Sequence, residues 1–109
     1  MAFDEALADR VRDVLAPRAD LSERKMFGGI AFMIGGNMGV GIVGDDLMVR
    51  LDPGDAERAQ AEPDTRPMDF TSKPMKGMVF VDSAGTAADD DLASWVDAGA
   101  DFAASLPPK

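Results

Sequence analysis

The stretch GGIAFMIGGNMGVGIVGDDLMVRL, residues 28–51, decides the fold of this chain of 109 residues. Large apolar side chains recur at every second position within it, and this period of two predicts β-strands with one buried face. Glycine and asparagine separate the apolar runs, as they do in tight hairpin turns. The predicted strands are residues 30–34, 38–43 and 47–51, and the predicted turns are GGN at 35–37 and GDD at 44–46. The stretch therefore predicts an antiparallel meander of three strands.

A membrane-spanning helix is the first competing interpretation of this region. Met26 to Gly44 contains 19 residues without a charge, close to the roughly 20 that span a bilayer. The same tract contains seven glycines, and each would cost about 1 kcal/mol relative to alanine inside a helix. Strands joined by glycine turns explain these residues without that cost, so no membrane association is expected.

A nucleotide-binding loop is the second competing interpretation. GVGIVG at 39–44 matches the GxGxxG pattern of dinucleotide sites, in which the loop follows a strand and begins a helix. Here the next residues indicate a turn and another strand, and Asp45 and Asp46 would repel phosphate. Gly39 and Gly41 are instead predicted to lie on one face of a strand, where a helix packs closely. No cofactor is expected.

Helices are predicted at both ends of the chain, because apolar residues recur there at spacings of three and four. Their apolar faces comprise Phe3, Leu7, Val11, Val14 and Leu15 in the opening helix, and Leu92, Trp95, Val96, Phe102 and Leu106 in the closing helix. Pro17 ends the opening helix. Thr86 or Asp89 is expected to cap the closing helix, with Asp90 and Asp91 at the positive end of its dipole.

The region between the meander and the closing helix completes the predicted sheet. A short helix is expected from Pro53, since proline suits the first turn of a helix. RPMDF at 66–70 and GMVFVD at 77–82 indicate two further strands. The sequence therefore predicts a single α+β domain over residues 1–109: an antiparallel sheet of about five strands with a meander core, flanked by N- and C-terminal helices.

Composition narrows the chemistry that the chain can perform. It contains no histidine, cysteine or tyrosine, which removes the usual general base, the commonest transition-metal ligand and thiol chemistry. The adjacent carboxylates at 45–46 and 89–91 lack the spacing of a calcium loop and suit turn and helix-start positions. No catalytic or metal-binding residue is predicted, and the chain is not expected to be an enzyme.

The charge balance bears on partners and location. The chain carries 20 acidic and 11 basic side chains, for a net charge of −9. Such a charge opposes strong direct binding to nucleic acid, which depends on neutralising phosphates. The first residues are acidic and amphipathic, unlike a signal peptide, so a cytoplasmic location is expected.

The segment RKMFGG at 24–29 and the loop before the last strand carry the candidate site. Gly28 and Gly29 are expected to bend the backbone as it joins the sheet, while Met26 and Phe27 fill the space between sheet and helix. A local basic cluster is predicted for contact with an anion or a partner: Arg24, Lys25, Arg50, Lys73 and Lys76. The alternative is that these side chains are solvated or paired with nearby acids such as Asp69 and Asp82.

The same residues carry a family resemblance. KMFGG followed by the glycine-turn meander, the RPMDF strand and KPMKGMVFVD at 73–82 resemble the TfoX/Sxy N-terminal domain family along essentially the whole chain. The resemblance implies an α+β domain of bacterial positive regulators of natural competence, which act with the cyclic-AMP receptor protein at promoters. Those regulators usually carry a C-terminal domain that is not present in these residues. The family supplies no catalytic motif.

Two functions from different classes follow from these observations. The first is a small regulatory module that contacts another protein, either a transcription regulator or a second copy in a homodimer, rather than binding DNA strongly itself. The second is a domain that binds a small molecule or an anion, such as phosphate or a nucleotide, through the basic cluster.

Overall fold

A computed structural model of the chain describes residues 3–26, 28–59, 61–67 and 77–107. The elements, in chain order, are α1 Glu5–Leu15, β1 Leu21–Met26, β2 Gly29–Ile34, β3 Asn37–Val43, β4 Asp46–Arg50, α2 Pro53–Ala59, β5 Thr65–Pro67, β6 Met78–Val81 and α3 Asp89–Ser105. The strands form one antiparallel sheet in the order β1-β2-β3-β4-β6-β5. The predicted α+β class, with a helix at each end of the chain, is confirmed.

The glycine-punctuated tract forms the predicted meander. Gly35 and Gly36 join β2 to β3 with φ of 60° and 83°, and Gly44 joins β3 to β4 with φ of 59°. Residues other than glycine rarely adopt these left-handed backbone conformations, so the turns depend on the glycines. None of the helices in the described ranges is long and apolar enough to cross a membrane.

The main core lies between the sheet and the two longer helices. From the helices it contains Leu7, Val11 and Leu15 of α1, and Leu92, Val96, Ala100 and Ala103 of α3; from the sheet it contains Ile30, Phe32, Ile34, Val40, Ile42, Leu47, Val49, Val79 and Val81. The alternation of the strands places these sheet residues on one face. Met48, Met78 and Phe80 form a second, smaller buried cluster on the opposite face.

The sheet contains a strand that the apolar pattern did not indicate. Strand β1, with sequence LSERKM, pairs with β2 along its whole length, from Leu21 opposite Ile34 to Met26 opposite Gly29. Four consecutive residues of this strand, 22–25, are exposed. A strand exposed on both sides carries no alternating apolar pattern, so periodicity alone does not reveal it. At the other edge, β5 includes the first two residues of the predicted strand 66–70, and residues 68–70 lie outside the described ranges.

The prediction that Gly39 and Gly41 share one strand face is wrong. The register places Phe32 opposite Val40 but Met33 opposite Met38, which leaves Gly39 as the extra residue of a β-bulge. Gly39 faces α3, and Gly41 lies against the Met48 side chain on the other face of the sheet. Close packing of a helix, the reason given for both glycines, holds for Gly39 alone.

The cap of the closing helix also differs from the prediction. Neither Thr86 nor Asp89 caps α3: the N-cap is Ala88, and no side chain accepts a hydrogen bond there. Thr86 is buried, with its hydroxyl directed to the carbonyl of Ser83. Asp89 lies in the first turn of α3, where its charge favours the helix dipole. The opening helix does have a cap, since the Asp4 carboxylate accepts two backbone N–H groups.

Candidate functional site

The arginines of the helical side of the molecule are already paired with acids. Arg10 pairs with Asp89, Arg12 with Asp9 and Glu23, Arg18 with Asp97 and Asp101, and Arg58 with Asp55. Because acidic side chains of the same chain neutralise them, these arginines offer little net positive charge to an external anion. Basic charge that is available to a partner must come from elsewhere on the surface.

The pair between Arg12 and Glu23 joins α1 to β1. The Arg12 Nε and Nη2 donate to the two carboxylate oxygens of Glu23 at 2.8 and 2.9 Å. This two-point hydrogen bond raises the pKa of Arg12 and lowers the pKa of Glu23, since it favours the charged form of each group. Glu23 is therefore held as a carboxylate whose charge is compensated from the helix.

Arg10 connects α1 to the loop that precedes α3. Its Nη2 donates to the carbonyl oxygen of Thr86 at 2.8 Å and of Ala87 at 3.3 Å, and to the Asp89 carboxylate at 3.0 Å. One guanidinium thus binds two backbone acceptors and an acid. Arg10 thus connects α1 to the loop before α3, and its Nη2 is not available to bind a ligand.

The outer edge of β1 differs from the helical side in both charge and hydrogen bonding. Arg24 and Lys25 are exposed there, and neither forms an ion pair with any described residue. Since Glu23 is compensated by Arg12, the edge carries two basic charges in a chain whose net charge is −9. We call residues Leu21–Met26 with these two side chains the β1 edge.

The backbone of β1 has a second row of hydrogen-bonding groups that points away from the sheet. The Asp20 carbonyl accepts the amide of Gly35 at 3.1 Å, so Ser22 and Arg24, two and four residues further on, bond to β2. Bonding alternates along an antiparallel pair, and the N–H and C=O of Leu21, Glu23 and Lys25 therefore point outward. Within the described ranges β1 pairs with β2 alone and ends the sheet. These groups form an open template for another strand.

The structure does not bring together the described members of the predicted basic cluster. Arg24 and Lys25 are neighbours on β1, so their side chains point to opposite faces of the sheet. Arg50 is on β4, three strands away, where it donates to the Met38 carbonyl at 3.5 Å and lies 5.6 Å from the centre of the Phe102 ring. Lys73 and Lys76 lie outside the described residues, so a site that includes them stays a prediction.

Gly28 and Gly29 of RKMFGG lie where β2 begins. Gly28 has a φ of 73°, and Gly29 begins β2, where a Cβ atom would overlap the carbonyl oxygen of Ile42. Both positions therefore require glycine, one for its conformation and one for the close approach of β3. The predicted packing of Met26 and Phe27 between sheet and helix falls outside what the structure describes.

Two surface cavities among the described residues are lined by acids. A groove of about 360 Å³ between α1 and the start of α3 is lined by Asp13, Asp89 and Asp90, together with Arg10, which pairs with Asp89. A smaller pocket of about 140 Å³ beside Trp95 includes Glu62, Asp64 and Asp91. Carboxylates repel phosphate groups, so neither cavity suits an anionic ligand. The described carboxylates do not gather in any group of three arranged to hold a metal ion.

Fold and charge together define a small α+β domain in which, among the described residues, the β1 edge has no further strand beside it and Arg24 and Lys25 form no ion pair. The chain belongs to the TfoX N-terminal domain family, whose model matches residues 13–103. The match runs from the last turn of α1 almost to the end of α3, and it confirms the resemblance carried by KMFGG and the meander. No similar curated protein and no similar solved structure was found.

Proposed function

We propose that this domain is a non-catalytic regulatory module that acts by contacting another protein, and that it does not bind DNA strongly itself. The β1 edge carries this proposal, because it combines exposed side chains with backbone groups and basic charges that have no partner among the described residues. Natural proteins usually cover or distort such an edge, or place charges on it. A strand from a partner can pair with the backbone groups, cover the exposed side chains and neutralise the charge at the same time.

The rest of the described surface supports a protein partner better than a small anion. Arg10, Arg12, Arg18 and Arg58 are held by acids, and the two cavities are acidic. Family membership adds a partner class, because the competence regulators that the family is named for act with a transcription regulator. Contact with such a regulator accounts for an effect on transcription without direct DNA binding by an acidic domain.

The proposal is tested by crosslinking from defined positions in cells of the source organism. A photoreactive amino acid replaces Ser22, which is exposed on β1, and in a matched control it replaces Ser94, which is exposed on α3. We expect Ser22 to yield adducts with one or a few proteins that Ser94 does not yield. Identical adducts from both positions, or none from either, would contradict a partner at the β1 edge.

A further inference from the structure

We propose that the β1 edge binds an extended acidic segment of the partner as a seventh strand of the sheet. This inference rests on the proposed function and adds to it the conformation and the charge of the segment that is recognised. Three observations support it. The backbone groups of β1 point outward, its two basic side chains lie on opposite faces, and like charges face each other when the edge pairs with itself.

The backbone of β1 determines which groups the incoming strand uses. Leu21, Glu23 and Lys25 each present one N–H and one C=O outward, at every second residue. This spacing matches the hydrogen-bonding period of a β-strand and does not match a helix. The segment must therefore be extended over about five residues to engage all three positions.

The side chains of β1 determine the charge of that strand. Lys25 lies opposite Ile30, which belongs to the core under the helices, so Lys25 is on the helical face. Arg24 lies opposite Ala31 and is on the other face. Side chains directly across an antiparallel pair share a face, and opposite charges there stabilise the pairing. The segment therefore needs acidic residues at adjacent positions, one for each face.

Glu23 would oppose an acidic segment if its charge were free. The Arg12 guanidinium holds both of its carboxylate oxygens, so the helical face of the edge presents a neutralised pair beside Lys25. Arg12 in turn is placed by α1, and it also binds Asp9 at 2.8 Å. Arg12 is thus shared between two carboxylates, and the positive charge that an incoming strand meets comes from Arg24 and Lys25.

A second copy of this chain fits the edge poorly. Two β1 strands related by a two-fold axis overlap most when the axis lies at Glu23 or at Arg24. The first register places Glu23 opposite Glu23, and the second places Arg24 opposite Arg24. Like charges directly opposite one another destabilise a strand pair. Each register therefore places one like-charged pair on the symmetry axis, Glu23 in the first and Arg24 in the second, although the second also places Glu23 opposite Lys25. An acidic segment avoids both like-charged pairs and opposes both cations, so it fits the edge better than a second copy does.

Amide hydrogen exchange measured by NMR tests the inference, because strand addition has an alternating signature. The probe is a peptide with blocked ends and the sequence Thr-Val-Thr-Glu-Glu-Thr-Val-Thr, added at millimolar concentration to the full chain. At nine-tenths occupancy the exchange of the Leu21, Glu23 and Lys25 amides should slow about tenfold, since only the free fraction exchanges. The Ser22 and Arg24 amides, already bonded to β2, should not change. A peptide with two lysines in place of the glutamates should have no effect.

Two variants make the test specific. Lys25→Pro removes an outward N–H without removing a hydrogen bond to β2, so the fold should persist while peptide protection is lost. The double variant Arg24→Glu with Lys25→Glu should reverse the preference and bind the lysine peptide instead. The NMR spectrum of each variant without peptide shows whether the variant is folded. If Lys25→Pro is unfolded, the reversed peptide preference of the double variant tests the inference instead.

Three outcomes would overturn the inference. NMR signal changes at the Arg24 and Lys25 side chains without alternating amide protection would show that the peptide is held by charge attraction alone. A nucleic acid would give the same result. Alternating protection that increases with the concentration of the chain itself, without peptide, would identify a second copy as the occupant. No protection with either peptide, while Ser22 still forms its specific crosslink, would leave the proposed function standing and remove strand addition. Absence of that crosslink would instead count against the proposed function.

Discussion

Gly99 of α3 and Gly39 of β3 face each other where the closing helix crosses the sheet. A Cβ atom on Gly39 would lie 3.0 Å from the Gly99 carbonyl oxygen, and one on Gly99 would overlap the Gly39 carbonyl. Two backbones therefore approach closely enough that even a methyl group does not fit between them. The bulge at Gly39 and the glycine in the middle of α3 together set the distance of the helix from the sheet.

Gly99→Ala should lower stability even though alanine favours a helix. The gain in helix propensity is about 1 kcal/mol, whereas overpacking a close contact costs roughly 1–3 kcal/mol and here meets backbone atoms that have no side-chain freedom. We expect a net loss of up to about 2 kcal/mol, measured as a shift of the urea midpoint with an unchanged slope.

Gly54→Ala in α2 is the matched control for that measurement. A Cβ atom at Gly54 would meet the Asp52 carboxylate at 3.4 Å and the Arg58 Nη1 at 3.9 Å, both ordinary contacts, so the site has room for it. This substitution should be neutral, or stabilising by up to about 1 kcal/mol. If Gly99→Ala were also neutral, the crossing would be looser than the glycine contact indicates.

The Glu23 carboxylate makes one contribution to stability that depends on pH. Hydrogen bonding from Arg12 lowers the pKa of Glu23 below its ordinary value of 4.5. A lowered pKa in the folded state means that the stabilisation is complete above the ordinary value and is lost as the pH falls through the lowered one. The pair is about a third exposed on both sides, so its contribution should not exceed about 1 kcal/mol.

Glu23→Gln should therefore destabilise the domain slightly at pH 7, and the difference should shrink as the pH falls toward about 2 through the lowered pKa of Glu23. Urea unfolding of both proteins across this range measures the difference. Glu57→Gln, at an exposed position of α2, is the control and should show no such trend. A difference that stayed constant down to pH 2 would mean that the charge of Glu23 is not its source.

Among the elements, α3 begins without a capping side chain. Its N-cap, Ala88, is exposed and already has the extended conformation that a capping residue adopts, with φ of −82° and ψ of 136°. Serine there can accept a hydrogen bond from an N–H of the first turn without a change of backbone. Ala88→Ser should therefore stabilise the domain by about 1 kcal/mol.

Ala87→Ser provides the comparison for this cap, because Ala87 is also exposed and lies one residue outside the N-cap. We expect it to change the thermal midpoint little, while Ala88→Ser raises it by roughly 4–8 °C if the full 1 kcal/mol is gained. Equal effects of the two substitutions would show that the hydroxyl acts through the loop rather than as a helix cap.

The strands that bury one face could be predicted from the sequence, whereas a strand that buries little could not. Strands β2, β3 and β4 each bury one face against helices, so Ile30, Val40 and Val49 carry a period of two that the sequence displays. Strand β1 buries little and has no such pattern, and its only signal was the glycine turn that follows it. The bulge at Gly39 was beyond prediction because one extra residue shifts a face without changing composition.

The members of the candidate site could be chosen from the sequence by residue type, but their arrangement could not. The sequence places Arg24 and Lys25 in a basic cluster, and both are exposed on the edge strand β1. Their separation onto two faces depends on β1 being a strand, and the compensation of Glu23 depends on α1 crossing near it. Such contacts join residues distant in sequence, and spacing along one chain does not encode them.

For the whole molecule, the distribution of charge governs how the domain meets nucleic acid. Of its 11 basic side chains, Arg10, Arg12, Arg18 and Arg58 are paired with acids, while the net charge is −9. Each phosphate contact contributes a slope of about −0.9 to the dependence of log K on log salt. If Arg24 and Lys25 are the two side chains that reach phosphates, the slope should be no steeper than about −2.

We therefore expect the domain to bind a random-sequence DNA duplex more weakly than about 10⁻⁴ M at physiological salt, the weak end of ordinary non-specific affinity. Fluorescence anisotropy of a labelled duplex, titrated at several salt concentrations, gives both the affinity and the slope. The double variant Arg24→Gln with Lys25→Gln should remove whatever weak binding appears at low salt. Binding that prefers one sequence and persists at about 0.2 M salt would require a phosphate-binding surface larger than these two side chains provide. Such a result would favour DNA over a protein strand as the partner of this domain.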